Sequence, residues 1–334
     1  QVYDIARNTG AYLVEQLGVD RTPVAVFAGR KMVTPAYFLG VVYAGRPYAP
    51  IDASLPDKRI EKILENLCPG AIVADRESRE HVESIVDELA KAEGFDRPQI
   101  FIAEDISRFE QVACADSNCK ISESAGDAVT DSENDTDGGV VAGCAGKTDD
   151  SSRDMLAVVR RQMSMTDPLY IIYTSGSTGN PKGVMTSHLS LMTYINAYCD
   201  VMHIEESDVL GNQSPLDYIA AIRDIYLPLK TGCSTAIIPK EYFMEPNALF
   251  DYMNEKKVSS VGWSVSAFTI LTSLGAFEEV GLKSLRKICF SGSVMPCRVL
   301  RKWQENLPEA HFVNQYGPTE ATASCTYYSV DHTV

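Results

Sequence analysis

Short apolar runs rich in strand-forming residues alternate with helical periodicity along this chain, and no other feature constrains its fold as tightly. Val24-Ala25-Val26-Phe27-Ala28, Ala71-Ile72-Val73-Ala74 and Gln99-Ile100-Phe101-Ile102 have the length and composition of buried strands. Between them lie helical patterns such as 57–67, opened by Pro56-Asp57, where Ile60, Ile63 and Leu64 make one apolar face. After a central interruption the alternation resumes. Strands are expected at 169–173, 235–238, 260–263, 288–290 and 311–313, and helices over 188–200, 218–230, 246–256, 266–275 and 296–306. This order predicts an α/β fold, because parallel strands need a crossover connection and helices then cover the sheet. Two similar, mainly parallel, helix-flanked sheets are expected, one on either side of the interruption. Ligands gather where such strands end. Three unusual segments fall at strand ends: 174–183, 291–293 and 314–320.

The interruption is compositional. Residues 122–152 hold Glu123, Asp127, Asp131, Glu133, Asp135, Asp137, Asp149 and Asp150 against the single cation Lys147, with no aromatic residue. Such a stretch cannot bury enough apolar surface to offset the entropy of ordering it. A solvated, disordered insertion over 104–166 is expected, with an acidic arm that docks a partner as the alternative. It separates a first α/β unit (1–103) from a second (167–334).

With 45% hydrophobic residues in 334, the chain can build a large core. No apolar run approaches the roughly 18 residues of a membrane span, and no basic-then-apolar leader opens the sequence. The nine cysteines are odd in number and dispersed, which suits reduced thiols and a cytoplasmic protein. The five histidines form no metal-ligand spacing. A net charge of −15 argues against nucleic acid as a partner, though it leaves room for a local cationic site that takes a nucleotide.

The strongest local signal is Tyr173-Thr174-Ser175-Gly176-Ser177-Thr178-Gly179-Asn180-Pro181-Lys182-Gly183. Glycines permit positive φ and bring backbone N–H groups to an anion, hydroxyls add donors, and Lys182 adds charge. This is the composition of a phosphate cradle. It is not a Walker loop, since the sixth residue from Gly176 is Pro181 and Lys182 precedes Gly183. A plain surface turn with a helix cap would not require so long a run of such residues after a buried strand.

Residues 173–183 resemble the phosphate loop of the adenylate-forming superfamily, which includes acyl-CoA synthetases, luciferases and peptide-synthetase adenylation domains. Tyr43-Ala44-Gly45-Arg46-Pro47-Tyr48-Ala49-Pro50-Ile51-Asp52 resembles an early segment of that family, and Asn314-Gln315-Tyr316-Gly317-Pro318-Thr319-Glu320 a later one. The resemblance covers nearly the whole chain outside the insertion. It implies an acetyl-CoA-synthetase-like N-terminal core with a further, smaller β-rich part. It also implies attack of a carboxylate on the α-phosphate of ATP, with release of pyrophosphate. The protein's task is then to hold two anions in line and offset their repulsion.

By this resemblance Thr174, Ser175, Gly176, Ser177, Thr178, Gly179 and Lys182 hold the phosphates. Asn314 reads the adenine edge and Tyr316, followed by Gly317, stacks on the base. Thr319 touches the α-phosphate, and Glu320 with Thr178 holds Mg²⁺. Lys182, Thr319 and Glu320 form the implied catalytic set. Taken singly, Tyr316 also suits a core position and Glu320 a solvated or capping carboxylate. His188 suits a cap or packing against the helix that follows it.

The two outer segments look more like amino-acid adenylation domains, and ligases that load D-alanine onto a carrier, than fatty acyl-CoA synthetases. The substrate is then an amino acid, and the partner a carrier protein with a phosphopantetheine arm. Asp217 is the candidate counter-charge for the substrate ammonium, with a helix N-cap as its other reading. Counting back from Gly232 without a gap puts Ile219 at the family's acidic position instead. Ala220, Trp263, Ser291, Gln315 and Ala323 are the implied pocket walls, and Trp263 there would favour a small substrate. An acyl- or aryl-CoA ligase and a non-catalytic nucleotide-binding module are the alternative functions. The sequence ends at Val334, where the family normally continues into a C-terminal subdomain with a mobile Lys. A truncated core with poor adenylation by itself is therefore expected.

Overall fold

A computed structural model describes residues 1–92, 94–109, 155–175 and 179–331. Its twelve strands fall into two six-stranded sheets. The first contains β1 (Val24–Phe27), β2 (Tyr48–Pro50), β3 (Ala71–Ala74), β4 (Gln99–Ile102), β5 (Pro168–Ser175) and β6 (Pro181–Ser187), in the order β4-β3-β1-β2-β5-β6. The second contains β7 (Val209–Asn212), β8 (Ser234–Ile237), β9 (Ser260–Ser264), β10 (Lys287–Ser291), β11 (His311–Tyr316) and β12 (Thr326–Val330), in the order β12-β11-β10-β9-β7-β8. All pairings are parallel except β5 with β6 and β11 with β12, so each sheet carries one antiparallel edge strand.

The two expected halves are visible in this topology. The order β4-β3-β1-β2 repeats as β10-β9-β7-β8, so strand order reverses at β1 in one sheet and at β7 in the other. The expected boundary at 167 is not where the sheets part. β5 pairs with β2 through Tyr48 and Tyr170, and β6 folds back on β5, so both complete the first sheet. No separate β-rich part remains among the described residues, since every strand belongs to one of the two sheets. The insertion is also narrower than 104–166 at its flanks. Helix α5 (Ala103–Ile106) and helix α6 (Met155–Gln162) are ordered because Ile106, Leu156 and Val159 bury in the core. Residues 110–154, with the acidic run, lie outside the described residues.

The remaining helices cover the sheets: α1 (Val2–Leu17), α2 (Thr34–Tyr43), α3 (Asp57–Leu67), α4 (Arg79–Leu89), α7 (His188–Met202), α8 (Ile222–Thr231), α9 (Pro246–Glu255), α10 (Val265–Ser273) and α11 (Cys297–Asn306). Helix α3 shows why. Its Ile60, Ile63, Leu64 and Leu67 recur at helical spacing and are buried against β3 and α4 neighbours such as Ile72 and Val82. Helices α7 and α8 lie between the sheets, and one core runs continuously from Val24 and Val73 through Tyr194 and Ile225 to Cys289 and Val313. No described helix is long and apolar enough to cross a membrane.

At the end of the second sheet away from the ligand loops, an ion cluster pins three elements together. Asp208 accepts from Ser259 Oγ at 2.6 Å, the Glu205 N–H at 2.9 Å, Lys287 Nζ at 2.5 Å and Arg286 at 3.0 Å. Lys287 also bonds the His203 carbonyl at the end of α7. Burial pushes the Asp208 carboxyl up, but the bonds from Lys287 and Ser259 outweigh it and hold the group below its ordinary value. A depressed folded value means that the contribution is complete above the unfolded value, about 3.9, and is lost as pH falls through the folded one. Asp208→Asn is therefore expected to lower the free energy of unfolding by about 3–5 kcal/mol near neutral pH, because it leaves Lys287 buried without its partner. Urea titration from neutral to about pH 3 checks this, and the gap from wild type should shrink below about pH 4.

Candidate active site

The glycine-rich segment sits at the tip of the β5–β6 hairpin, where Thr174 pairs with Lys182 and Ser175 with Pro181. It leads into an antiparallel strand, not into a helix, so no helix dipole is aimed at an anion held there. Any charge must come from side chains and loop amides. Gly179 has φ 76°, and its position is open, with nothing within 4 Å of where a Cβ would sit. Asn180 accepts from Lys62 of α3 at 3.0 Å, and Tyr173 donates to Asn66 of the same helix at 2.9 Å. These bonds tie both arms of the hairpin to one helix. Lys182 is exposed. Gly176, Ser177 and Thr178 lie outside the described residues.

The second segment follows β11. Gly317 passes directly beneath the returning chain: a Cβ there would meet Ser324 Cα at 2.5 Å and the Ala323 carbonyl at 2.8 Å. Only glycine fits. The turn closes with the Cys325 N–H bonding the Tyr316 carbonyl at 2.9 Å. Thr322 (φ 54°) and Ala323 (φ 72°) are both left-handed, a strained pair of the kind that concentrates at functional sites. The result displays Tyr316, 69% exposed, at the rim, with Asn314 and Glu320 also exposed. Thr319 and Glu320 lie on a 3-10 turn (Thr319–Ala321) packed against β6.

These segments meet at a cleft of about 340 Å³. Its lining includes Thr174 and Ser175 from β5, Thr319, Arg59 of α3, and Asp217. Asp217 lies on the loop after β7, and burial, the largest influence on its carboxyl, pushes it above the ordinary carboxylate value. The charge of Asp52 pushes the same way, while backbone amides and Lys240 act against both. Ile219, two residues on, is buried in the core.

The loop carrying Asp217 is anchored across the sheets. Arg30, just after β1, donates to the Asn212 side chain and carbonyl at 2.7 Å each and to the Ile238 carbonyl at 2.5 Å. Asn212, at the end of β7, donates to buried Asp224 at 2.8 Å. Asp224 heads α8 beside Arg223 (3.4 Å). The ends of β1 and β7, where the two strand orders reverse, are thus bonded to each other.

Of the implied pocket walls, Trp263 is a correction. It is 1% exposed, its Nε1 donates to the Gly211 carbonyl at 2.8 Å, and it packs edge-on against Phe243 at 5.2 Å. Its indole belongs to the second sheet's core, which removes the argument for a small substrate. Ala220, Ser291, Gln315 and Ala323 line neither the cleft nor the chamber next to it. Gln315 is buried and accepts from Ser324 Oγ at 3.2 Å, which supports the turn. His188 opens α7, but the cap is Ser187, whose Oγ accepts from the Ser190 N–H. Sequence reasoning missed Arg30, Arg59 and Lys240. Single cations on loops and a helix carry no local signal, whereas Asp52 lay within the segment 43–52 and Asp224 within the expected helix 218–230.

Known proteins share the fold of this chain. The chain matches the AMP-binding enzyme family over residues 1–334. It is 27% identical over 331 residues to a D-alanine–D-alanyl carrier protein ligase of Bacillus licheniformis, covering 99% of this chain and 55% of that protein. It is 28% identical over 308 residues to the ligase of the same description from Bacillus cereus, covering 92% of this chain and 51% of that protein. The chain thus spans about half the length of the curated relatives it matches. Among solved structures it resembles the Vibrio cholerae adenylation domain AlmE in complex with glycyl-adenosine-5′-phosphate. The TM-score is 0.73 at 19% identity, covering 99% of this chain and 56% of that one. It also resembles the nonribosomal peptide synthetase FmoA3, with a TM-score of 0.72 at 20% identity, covering 99% of this chain and 29% of that one. With the family matched from end to end, the chain belongs to the AMP-binding enzymes.

Proposed function

We propose that this chain is the nucleotide- and substrate-binding core of an enzyme that activates an amino acid as its aminoacyl-adenylate for transfer to a phosphopantetheine carrier protein. One observation carries the proposal: the phosphate-loop strand, Thr319 and the half-buried acid Asp217 open into a single cleft. The carrier-protein ligases among its relatives support the choice of substrate and partner. Dispersed thiols, six of them free among the described residues, suit a cytoplasmic setting.

The residues divide the work by charge. Thr174, Ser175 and the loop amides donate to the phosphates of ATP, and Lys182, exposed beside them, offsets their charge. Tyr316 presents an open aromatic face to the adenine at the rim, with Asn314 next to it on β11. Thr319 donates where the carboxylate approaches the α-phosphate. Asp217 pairs with the ammonium of the incoming amino acid and so fixes which end of it faces the nucleotide. The exposed carboxylate of Glu320, one residue beyond Thr319, is a hard oxygen donor of the kind Mg²⁺ takes. When bound, that ion supplies charge neutralisation to the phosphates.

ATP–pyrophosphate exchange with the full-length protein, run against L- and D-amino acids and simple carboxylic acids, tests this. Amino acids should support exchange. Exchange only with acids that lack an α-amino group would favour an acyl- or aryl-CoA ligase instead. Asp217→Asn should raise the amino-acid KM about tenfold or more while leaving the KM for ATP unchanged, because only the ammonium loses its partner. Gly317→Ala should weaken ATP binding about tenfold by calorimetry, because relieving the clash with residues 323–325 costs about 1–3 kcal/mol and displaces Tyr316 and Thr319.

A further inference from the structure

Asp217 stands between two cavities. Beyond the cleft is a chamber of about 240 Å³ that shares Pro50, Ile51, Pro215 and Asp217 with it. The charged and titratable groups around Asp217 come from several elements. Arg30 after β1, Asp52 after β2 and Lys240 after β8 line the chamber, while Arg59 of α3, Tyr173 of β5 and Tyr218 line the cleft. Three of these are already engaged. Arg30 is bonded to Asn212 and the Ile238 carbonyl, Asp52 Oδ1 accepts from the Ser54 N–H at 2.8 Å, and Tyr173 donates to Asn66. Lys240 opens a 3-10 turn (Lys240–Met244), is exposed, and its ammonium takes part in none of the side-chain hydrogen bonds or ion pairs among the described residues.

This arrangement poses a problem. A carboxylate withdrawn from water, with a second carboxylate beside it, tends to take up a proton, and a neutral acid cannot pair with an ammonium. Arg59 on the cleft side and Lys240 on the chamber side both lack a side-chain hydrogen bond or ion pair among the described residues, and it is the charge of Lys240 that acts on Asp217 in the opposing direction.

We propose that Lys240 is a positioning residue for the substrate ammonium: from the chamber wall it keeps Asp217 ionised in the empty site, and it yields to the ammonium when the amino acid binds. The proposal rests on the reading of Asp217 given above. An exposed lysine suits this role, since its long stem lets the charge swing back into water at little cost.

Carboxyl ¹³C titration of the chain, with Asp217 assigned from the Asp217→Asn spectrum, tests it without a ligand. Lys240→Gln should move the Asp217 midpoint upward by about half a unit, while Lys240→Arg should leave it in place. Added salt should move the wild-type midpoint toward that of Lys240→Gln, because an exposed ammonium is screened. In exchange assays with an active amino acid, Lys240→Gln should shift the acid limb of its KM by the same half unit, about threefold in KM below the midpoint, with kcat unchanged. An Asp217 midpoint that does not move in Lys240→Gln overturns the role of Lys240. A midpoint that moves, with an amino-acid KM indifferent to Asp217→Asn, overturns instead the reading of Asp217 on which it rests.

Discussion

The bonds from Arg30 to the end of β7 hold the two sheets in the relation on which the cleft depends. Each sheet alone is a parallel stack whose strand order reverses at one strand, and each reversal leaves a crevice at the strand ends. Arg30 leaves β1 at the first crevice and bonds Asn212 at the second, and Asn212 passes the connection to Asp224 at the head of α8. Burial works against the charge on Arg30, and the carboxylate of Asp224 opposes that effect. The guanidinium is planar and spends its donors on a side-chain oxygen and two carbonyls, a set that a lysine could not reproduce. Five residues beyond Asn212 the chain reaches Asp217, so the same bonds that join the sheets also position the loop that faces the ligand.

The contrast between the two ligand segments follows from their supports. The residue 317–325 turn is over-determined: a glycine pressed under the backbone, two left-handed residues and a closing hydrogen bond leave it one shape. The hairpin is bonded to α3 on both arms, Tyr173 to Asn66 and Asn180 to Lys62. In the proposed reaction adenine presents the same face before and after the step, which suits a rigid rim, whereas the β,γ-phosphates must leave.

Much of the fold was legible because buried parallel strands and amphipathic helices obey periods that a sequence displays. Residues 24–27, 57–67 and 71–74 announce themselves in this way. The strands that escaped are β2, β6, β7 and β12. β6 is exposed or half-buried over most of a glycine-containing stretch, β2 is three residues long, β12 is exposed along most of its length, and β7 has Gly211 and Asn212 among its four residues. Their pairing partners lie on distant segments, and so the assignment of β5 and β6 to the first sheet could not be read from order alone. Thr174, Ser175, Asp217 and Thr319 were singled out in the sequence by their motifs, and the fold brings them to one cleft. The implied pocket walls fared worse, as Trp263 shows. Position in a loop-adjacent strand does not fix which face of the sheet a side chain takes, and the indole followed the aromatic cluster of Phe243 and Phe268.

The two-residue offset at Asp217 has a physical reason in the same terms. The counted position, Ile219, falls in a 3-10 turn (Ile219–Ala221) that precedes α8. Within that turn Ile219 and Ala221 are buried beneath α8, where a carboxylate would be costly to desolvate. An acid at the counted position would therefore face the core of this chain, while the loop before the turn faces the cleft. The charge stands where the backbone opens, two residues earlier. Its place in the cleft follows from the bonds that Arg30 makes to Asn212, which hold the loop that carries it.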